Sequence, residues 1–374
     1  MLQGSTITPR DREGRELGDI LDRAVSGNRL SEEDALRLFR VSDRSVWDIV
    51  HAADERREAV VGSQITYVRN QNINVTNYCI NTCGFCGFSR KPGEEGGYFH
   101  NLEVIREKAA LAKSRKVTEI CTVSGLHPDF DADSYVEIIT AIREGAPGVH
   151  IHASNPMEVA YAARKSGITS LEVLRMMKDA GLGSLCGTAA EILVDEVRRV
   201  ICPGKVSTDE WIRIIKEAHH LGIRSTATIM YGHCETVQDR ARHLSLLREI
   251  QDDTGGFTEF VPLSFIHMNT PLFRKGIARA GATGREDLLM TAVSRLFLDT
   301  IDHIQVSWVK TGVKMAQLGL LGGADDLGGT MFEESISKGA GARDTDYLDP
   351  AEMERIAADI GRTLRQRDTL YRLI

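Results

Sequence analysis

Between Asn74 and Arg90 the chain reads NVTNYCINTCGFCGFSR, which places three of its seven cysteines, Cys79, Cys83 and Cys86, in a C-x3-C-x2-C arrangement. Three thiols this close can reach one inorganic centre, and thiolates are soft ligands that select zinc, copper(I) or iron–sulfur clusters. No fourth cysteine or histidine follows closely, whereas a structural zinc site takes four protein ligands. A centre held by three cysteines leaves one metal position open, where substrate chemistry can happen. The alternatives are a three-thiol zinc site with a distant fourth ligand, and buried free cysteines.

Other residue types that can do chemistry recur along the chain. Ser124-Gly125 is a small-residue turn that lets backbone approach a ligand; His127 and Asp129 follow it, facing a substrate or capping the next helix. His150 and His152 alternate with Val149 and Ile151, so both point to one face of a strand. Glu191 follows a Gly-Thr turn just inside an expected helix. An acid there complements the helix dipole or binds a ligand's hydroxyls or ammonium. Arg198 and Lys205 read as surface charges. Tyr231, His233 and Glu235 cluster in a turn where a general acid or base can sit, since histidine titrates near neutrality. Glu259, His267 and Asn269 follow, then Ser307, Trp308 and Lys310. Asp325 and Asp326 read as a loop facing the pocket, where an Asp pair can bind a metal, a polar substrate or its own backbone.

These segments need a scaffold. Residues from about Asp11 to Val61 read as helical, with Ser31-Glu32-Glu33-Asp34 as an N-cap followed by first-turn acids. From Gln71 onward, short β-rich runs (INVTN, TEICTVS, VHIHAS, GSLCG, STATIMYG, FTEFVPLSF, IQVSWV and a weaker GADDLG) alternate with amphipathic helices. That alternation predicts a parallel sheet, and seven or eight units suit a closed (β/α)8 barrel. Chemistry on such barrels sits on the loops that follow the strands. The expected organisation is α/β: an N-terminal helical extension (1–61), a TIM-type barrel (62–342) and a C-terminal helical segment (343–374). The stretch from Tyr347 to Ile374 reads as one helix docked on the barrel exterior.

Composition bounds the function classes. The 374 residues carry 42% apolar and 26% charged side chains, ordinary for a globular protein, and a net charge of −7 that argues against a large nucleic-acid surface. No apolar run is long enough for a transmembrane helix, and the polar N-terminus lacks a secretory core. Seven cysteines without a framework predict reduced thiols in a cytoplasmic protein, Cys121, Cys186, Cys202 and Cys234 among them.

The C-x3-C-x-aromatic-C form, with Phe85 as the aromatic, resembles the signature of the radical S-adenosylmethionine (SAM) superfamily, which uses full or partial barrels. The resemblance implies that Cys79, Cys83 and Cys86 hold a 4Fe-4S cluster whose open iron chelates SAM. It places Phe85 near the adenine and the turn at Ser124-Gly125 against the methionyl amino group. It also puts Glu191 beside the cofactor, and if the strand face of His150 and His152 is the barrel lumen, His152 is within reach of SAM or substrate. His233 and Glu235 are the candidate acid–base residues.

The likeness runs from about Gln71 to Ala342. GTAAEILVDEVRRVICPGK, TIMYGHCET, TEFVPLSFIHMNTPL and GADDLGGTMFEESI are similar to a subgroup containing the two deazaflavin (FO) synthase subunits and two radical enzymes of the futalosine route to menaquinone. FSRKPGEEGGYF and GGTMFEESISKGAGA look most like the second FO synthase subunit. That implies cleavage of L-tyrosine at Cα–Cβ and transfer of its 4-hydroxybenzyl group to 5-amino-6-(D-ribitylamino)uracil. It further implies a companion subunit 1 that closes the deazaflavin ring, and an electron donor such as ferredoxin or flavodoxin. Two other readings stay open: aminofutalosine synthase, which incorporates the adenosyl group into product, and a non-catalytic zinc-binding barrel.

Overall fold

The computed structural model describes residues 9–343 and 345–374. Residues 1–8 of the expected N-terminal extension and Asp344 of the C-terminal segment lie outside the described residues. Among the described residues nine strands are present: β1 (Ile65–Val68), β2 (Asn70–Asn72), β3 (Glu119–Thr122), β4 (His150–Ala153), β5 (Ser184–Leu185), β6 (Arg224–Tyr231), β7 (Phe257–Ser264), β8 (Asp326–Gly329) and β9 (Leu364–Arg367). β2 to β7 form one parallel sheet in sequence order, and β8, β1 and β9 form a second. Single parallel bridges join the two. Phe260 pairs with Ile304, Gln305 with Asp326, and Gln71 with Phe332. Since β1 runs directly into β2, eight parallel segments close into a barrel, as the strand–helix alternation predicts.

The first barrel strand lies earlier than expected. It is ITYVRNQN, residues 65–72, and the INVTN run that follows already belongs to the loop carrying the cysteines. Polar Asn70, Gln71 and Asn72 form its second half and are all buried, so hydropathy hid it. Asn70 is held by neighbours: its amide N–H donates to Thr330 Oγ1 at 3.1 Å and its Nδ2 to Glu119 at 3.2 Å.

The helices follow their caps. Ser31 accepts from Asp34 N–H in a reciprocal capping box that starts Glu32–Arg40. Asp131, Thr169, Thr236 and Thr283 do the same for the helices after them. On Ser170–Ala180, Val173, Leu174, Met177 and Ala180 are buried, one stripe at helical spacing. The N-terminal helices Pro9–Val25, Glu32–Arg40 and Val46–Val61 pack on the barrel's outer helix Gly284–Phe297. Arg29 fastens them from the loop between the first two, reaching Asp252 at 2.6 Å and Asp299 at 2.9 Å.

The C-terminal stretch departs from the expected single helix. The helix is Pro350–Asp359, and the chain then forms β9, which pairs in parallel with β1 from Ile65↔Leu364 to Val68↔Arg367. The last residues thus reach the floor of the barrel, the end opposite the cysteine loop. Asp325 and Asp326, expected to face the pocket, belong to that floor. Asp325 pairs with Arg295 at 2.6 Å and His303 at 2.7 Å, and Asp326 with Arg367 at 2.6 Å. They sit where β8 begins, not on the loop after it, which is why spacing alone misassigned them. No helix among the described residues is long and apolar enough to cross a membrane.

Candidate active site

The cysteine loop follows β2 at the C-terminal mouth of the barrel. It is irregular and tied down by backbone bonds: Cys79 N–H to Arg90 O at 3.1 Å, Ile80 N–H to Leu126 O at 3.0 Å, and Gly84 N–H to Ile201 O at 2.8 Å. All three thiols are free; Cys83 is buried, Cys79 and Cys86 half-buried. Leu126 N–H points at Cys79 Sγ from 3.4 Å, an amide suited to a thiolate's charge. Burial pushes the Cys79 thiol up and the Cys83 thiol up to about 12. Bound metal reverses such a shift by stabilising the thiolate. A free three-thiol donor set at the open end of the barrel fits a cluster that keeps one coordination position for a ligand.

The Ser124-Gly125 turn works on this loop. A Cβ on Gly125 would stand 2.3 Å from the Tyr78 carbonyl oxygen, so only glycine lets β3's end press against the residue before Cys79. Ser124 Oγ accepts from Val75 N–H at 2.8 Å. Phe85 packs its ring 5.1 Å from the ammonium of Lys205.

Arg198 is buried and Lys205 half-buried, contrary to the surface expectation. Lys205 Nζ lies 2.5 Å from Glu191. Burial works against its charge, but Glu191, Cys83 and Cys202 outweigh it and hold the ammonium protonated. Glu191 itself lies outside any helix; the next one is Asp195–Ile201. It has φ 45°, and Ala189 has φ 66°, backbone that L residues rarely adopt. Three buried side chains hold this strained loop. The Arg198 guanidinium donates to the carbonyls of Ala189 at 3.2 Å, of Val206 at 2.6 Å and of Ala190. Trp211 Nε1 donates to Thr188 O at 3.3 Å. His243 accepts from Leu193 N–H at 2.9 Å and faces Thr228 O at 3.0 Å.

Lys310, expected at a strand end, and two buried acids that spacing did not single out, Glu334 and Glu158, complete the setting. Lys310, at a short helix Trp308–Thr311, donates to Ser337 Oγ at 2.6 Å. Burial lowers its ammonium's affinity for the proton, against the pull of Glu334, Glu191 and Cys86. Glu334 accepts from Ser337 N–H at 2.9 Å. Glu158, behind the Ser124 turn, accepts from Asn155 Nδ2 at 2.7 Å, and burial pushes its carboxyl up to about 8. The signal for Glu158 was an acid three residues after Asn155, which reads as helix capping and nothing more.

His233 and Glu235 come together but are closed off. The Glu235 carboxylate accepts from Gly232 N–H at 2.7 Å, His233 N–H at 2.8 Å and Arg240 Nη2 at 2.5 Å. Burial alone would raise it, yet His233 and Arg240 hold it below the usual range. His233 is turned to Met230 O at 3.0 Å and to Glu235 at 3.2 Å, and burial lowers its proton affinity. With every polar atom of the pair engaged by protein, the arrangement suits holding the turn Gly232–Thr236. Tyr231 points outward to Asp287 at 2.7 Å. His127 packs among Phe99 and Phe130, and Asp129 is exposed. His152 faces the barrel interior and contacts Ser184 Oγ at 2.7 Å. Glu259 belongs to the floor, where burial pushes it up to about 7, and His267 meets the Phe273 ring edge-on.

A closed parallel barrel with three free thiols at its C-terminal mouth defines a protein of the radical SAM class. The profile of the radical SAM superfamily matches residues 73–247, and that of the CofH/MqnC C-terminal region matches residues 254–373. Among solved structures the chain is similar to methylornithine synthase (TM-score 0.72, 19% identity, 92% of this chain and 97% of that one). It is also similar to the [FeFe]-hydrogenase maturase HydG (TM-score 0.75, 16% identity, 94% and 76%). These likenesses carry the fold. Closer relatives are the 5-amino-6-(D-ribitylamino)uracil–L-tyrosine 4-hydroxyphenyl transferases of Methanoculleus marisnigri, 69% identical over 96% of this chain and 98% of that protein, and of Methanothermobacter thermautotrophicus, 48% identical over 95% and 97%. The chain belongs to this transferase family within the radical SAM superfamily.

Proposed function

We propose that the protein is a radical SAM transferase that cleaves L-tyrosine at Cα–Cβ and joins its 4-hydroxybenzyl fragment to 5-amino-6-(D-ribitylamino)uracil. The observation that carries this reading is 69% identity along almost the whole chain to a relative named for that reaction. Cys79, Cys83 and Cys86 would hold a 4Fe-4S cluster, with SAM on the remaining position. When bound, this pair supplies the radical that abstracts hydrogen from substrate.

The chain's own residues bind, orient and exclude water. Gly125 and Ser124 fix the cysteine loop. Glu191 and Lys205 present a paired carboxylate and ammonium beside Cys83 and Phe85, suited to an amino-acid head group or ribose hydroxyls. Lys310 and Glu334, both bonded to Ser337, offer a further ammonium and carboxylate for the zwitterion of tyrosine. The closed barrel keeps water from the reacting centre. The reading includes a companion subunit that closes the deazaflavin ring and a ferredoxin- or flavodoxin-type donor. It places the protein in the cytoplasm, in keeping with seven free cysteines.

The test is anaerobic turnover of reconstituted protein with SAM, a strong reductant and L-tyrosine, with and without the ribityl-diaminouracil, read by mass spectrometry. A tyrosine-dependent adduct carrying the 4-hydroxybenzyl mass is expected. A product that incorporates the adenosyl group, or SAM cleavage indifferent to tyrosine, would overturn the assignment.

A further inference from the structure

Three adjacent strands bring soft metal ligands to one spot, apart from the cysteine loop. Cys121 on β3 stands directly across from His152 on β4, and His152 across from Ser184 on β5, with Cys186 two residues further on. Alternate residues of a strand share a face. The intervening Ile120, Ile151 and Leu185 lie in the apolar core, so Cys121, His152 and Cys186 line the barrel interior. One ligand atom from each of the three lies within 4.8 Å of the other two. Around a single tetrahedral zinc ion, with bonds of about 2.0–2.3 Å, ligand atoms stand roughly 3.5–3.8 Å apart. Small side-chain rotations cover that difference. Neither sulfur is in a disulfide.

The surroundings orient the imidazole. Ser184 Oγ sits 2.7 Å from His152 Nδ1 and 2.8 Å from His150 Nε2. When this hydroxyl donates to His150 and accepts from His152 Nδ1–H, the Nε2 lone pair of His152 is left free for a metal. Such an outer hydrogen bond is what fixes metal-binding histidines. A Cβ on Gly183 would stand 2.6 Å from the His150 ring, so glycine there makes room for the relay. Cys121 is half-buried while His152 and Cys186 are buried, so the trio is reached from the Cys121 side.

We propose that Cys121, His152 and Cys186 form a second, mononuclear site for a soft divalent ion of the zinc class, with its fourth position turned to the barrel interior. Two thiolates and one imidazole with an open position make the donor set of a Lewis-acid centre, not that of a closed structural zinc site. The ligand taken up there is an anionic oxygen or a thiolate of a molecule inside the barrel.

The test uses the full chain with Cys79→Ala, Cys83→Ala and Cys86→Ala, so that the loop cannot bind metal. Cobalt(II) is titrated anaerobically and read by thiolate-to-metal charge-transfer absorption and by metal analysis, with circular dichroism to check folding. One cobalt per chain is expected. Adding Cys186→Ser abolishes the band, and Ser184→Ala weakens binding about 10- to 100-fold. A folded triple variant that binds no cobalt, or one whose band survives Cys186→Ser, overturns the proposal. If the triple variant does not fold, wild-type chain with its loop site already filled is titrated instead. It should take one further cobalt that Cys121→Ser/Cys186→Ser removes, and no further uptake overturns the site. None of these readouts depends on turnover, so they are independent of the transferase reading.

Discussion

The Glu191 carboxylate stands 2.5 Å from the Lys205 ammonium, and the same ammonium lies 5.1 Å from the Phe85 ring, beside Cys83. One ion pair, its carboxylate buried and its ammonium half-buried, thus links the strained loop after β5 to the cysteine loop after β2. Removing only the cation leaves a buried carboxylate without a partner. Lys205→Met should cost about 3 kcal/mol of stability, and Glu191→Gln combined with it should recover part of that. Urea unfolding of the four proteins of this cycle measures it. Glu191→Gln alone should weaken SAM binding about tenfold or more, the worth of a lost charged hydrogen bond, while iron content holds. An unchanged SAM dissociation constant would remove Glu191 from the cofactor site.

Gly125 offers a test of how the loop is held. Alanine there would force the Tyr78 carbonyl to move from a 2.3 Å contact, an overpacking strain of about 1–3 kcal/mol. The barrel has ample other contacts, so Gly125→Ala should fold, with far-ultraviolet circular dichroism unchanged. Its iron and sulfide content after reconstitution should fall to a fraction of wild type. Full cluster content would show that the loop tolerates the shift.

Glu158 gives a pH dependence with a definite sign. Its folded carboxyl titrates at about 8, pushed up by burial from an ordinary value of 4.5. The folded chain therefore holds a proton that the unfolded chain has already released. The stability this contributes is complete below about 4.5 and is lost as pH rises through 8. Glu158→Gln carries no titrating group, so its urea midpoint should fall less between pH 6 and pH 8.5. The difference should be at least about 1 kcal/mol. Equal slopes for the two proteins would mean that Glu158 is ionised in the fold. His243 acts on the other limb: burial lowers it from 6.5 to about 3, so its contribution is whole above 6.5 and is lost as pH falls towards 3. Its protonation would also break the bond to Leu193 N–H that holds the Glu191 loop.

Much of this site was legible because its chemistry is local in sequence. Cys79, Cys83, Phe85 and Cys86 lie on one loop, and the barrel announces itself through repeated strand–helix alternation. What stayed hidden depends on distant partners. Lys205 and Arg198 look like surface charges until Glu191 and the carbonyls of Ala189 and Val206 are folded around them. Asn70–Asn72 has no apolar pattern to mark it as a strand, and the partners that let Asn70 be buried, Thr330 and Glu119, are far away in the chain. His233 and Glu235 have the right types for acid–base work, but Arg240, one helical turn on, claims the carboxylate. Cys121, His152 and Cys186 meet only through strand register.

The C-terminus carries the last prediction. Arg367 is buried on the barrel floor, 2.6 Å from Asp326 and 3.2 Å from Glu259, and Tyr371 Oη donates to Glu259 at 2.6 Å. The Arg367 guanidinium also lies 3.9 Å from the centre of the Tyr371 ring. Both carboxylates depend on a strand that ordinary sequence patterning assigns to an exterior helix. Arg367→Met would leave Asp326 buried with no opposite charge, a loss of about 3–5 kcal/mol. Truncation after Thr363 would go further, since it also strips β1 of its β9 partner and bares that edge. Thermal unfolding should show a clear drop in Tm for Arg367→Met, and the truncated chain should be recovered mainly as aggregate. Tyr371→Phe, which removes one hydrogen bond and keeps the ring over Arg367, should cost only about 1–2 kcal/mol. A truncated chain that stays soluble and melts like wild type would mean that the floor closes without its C-terminal strand.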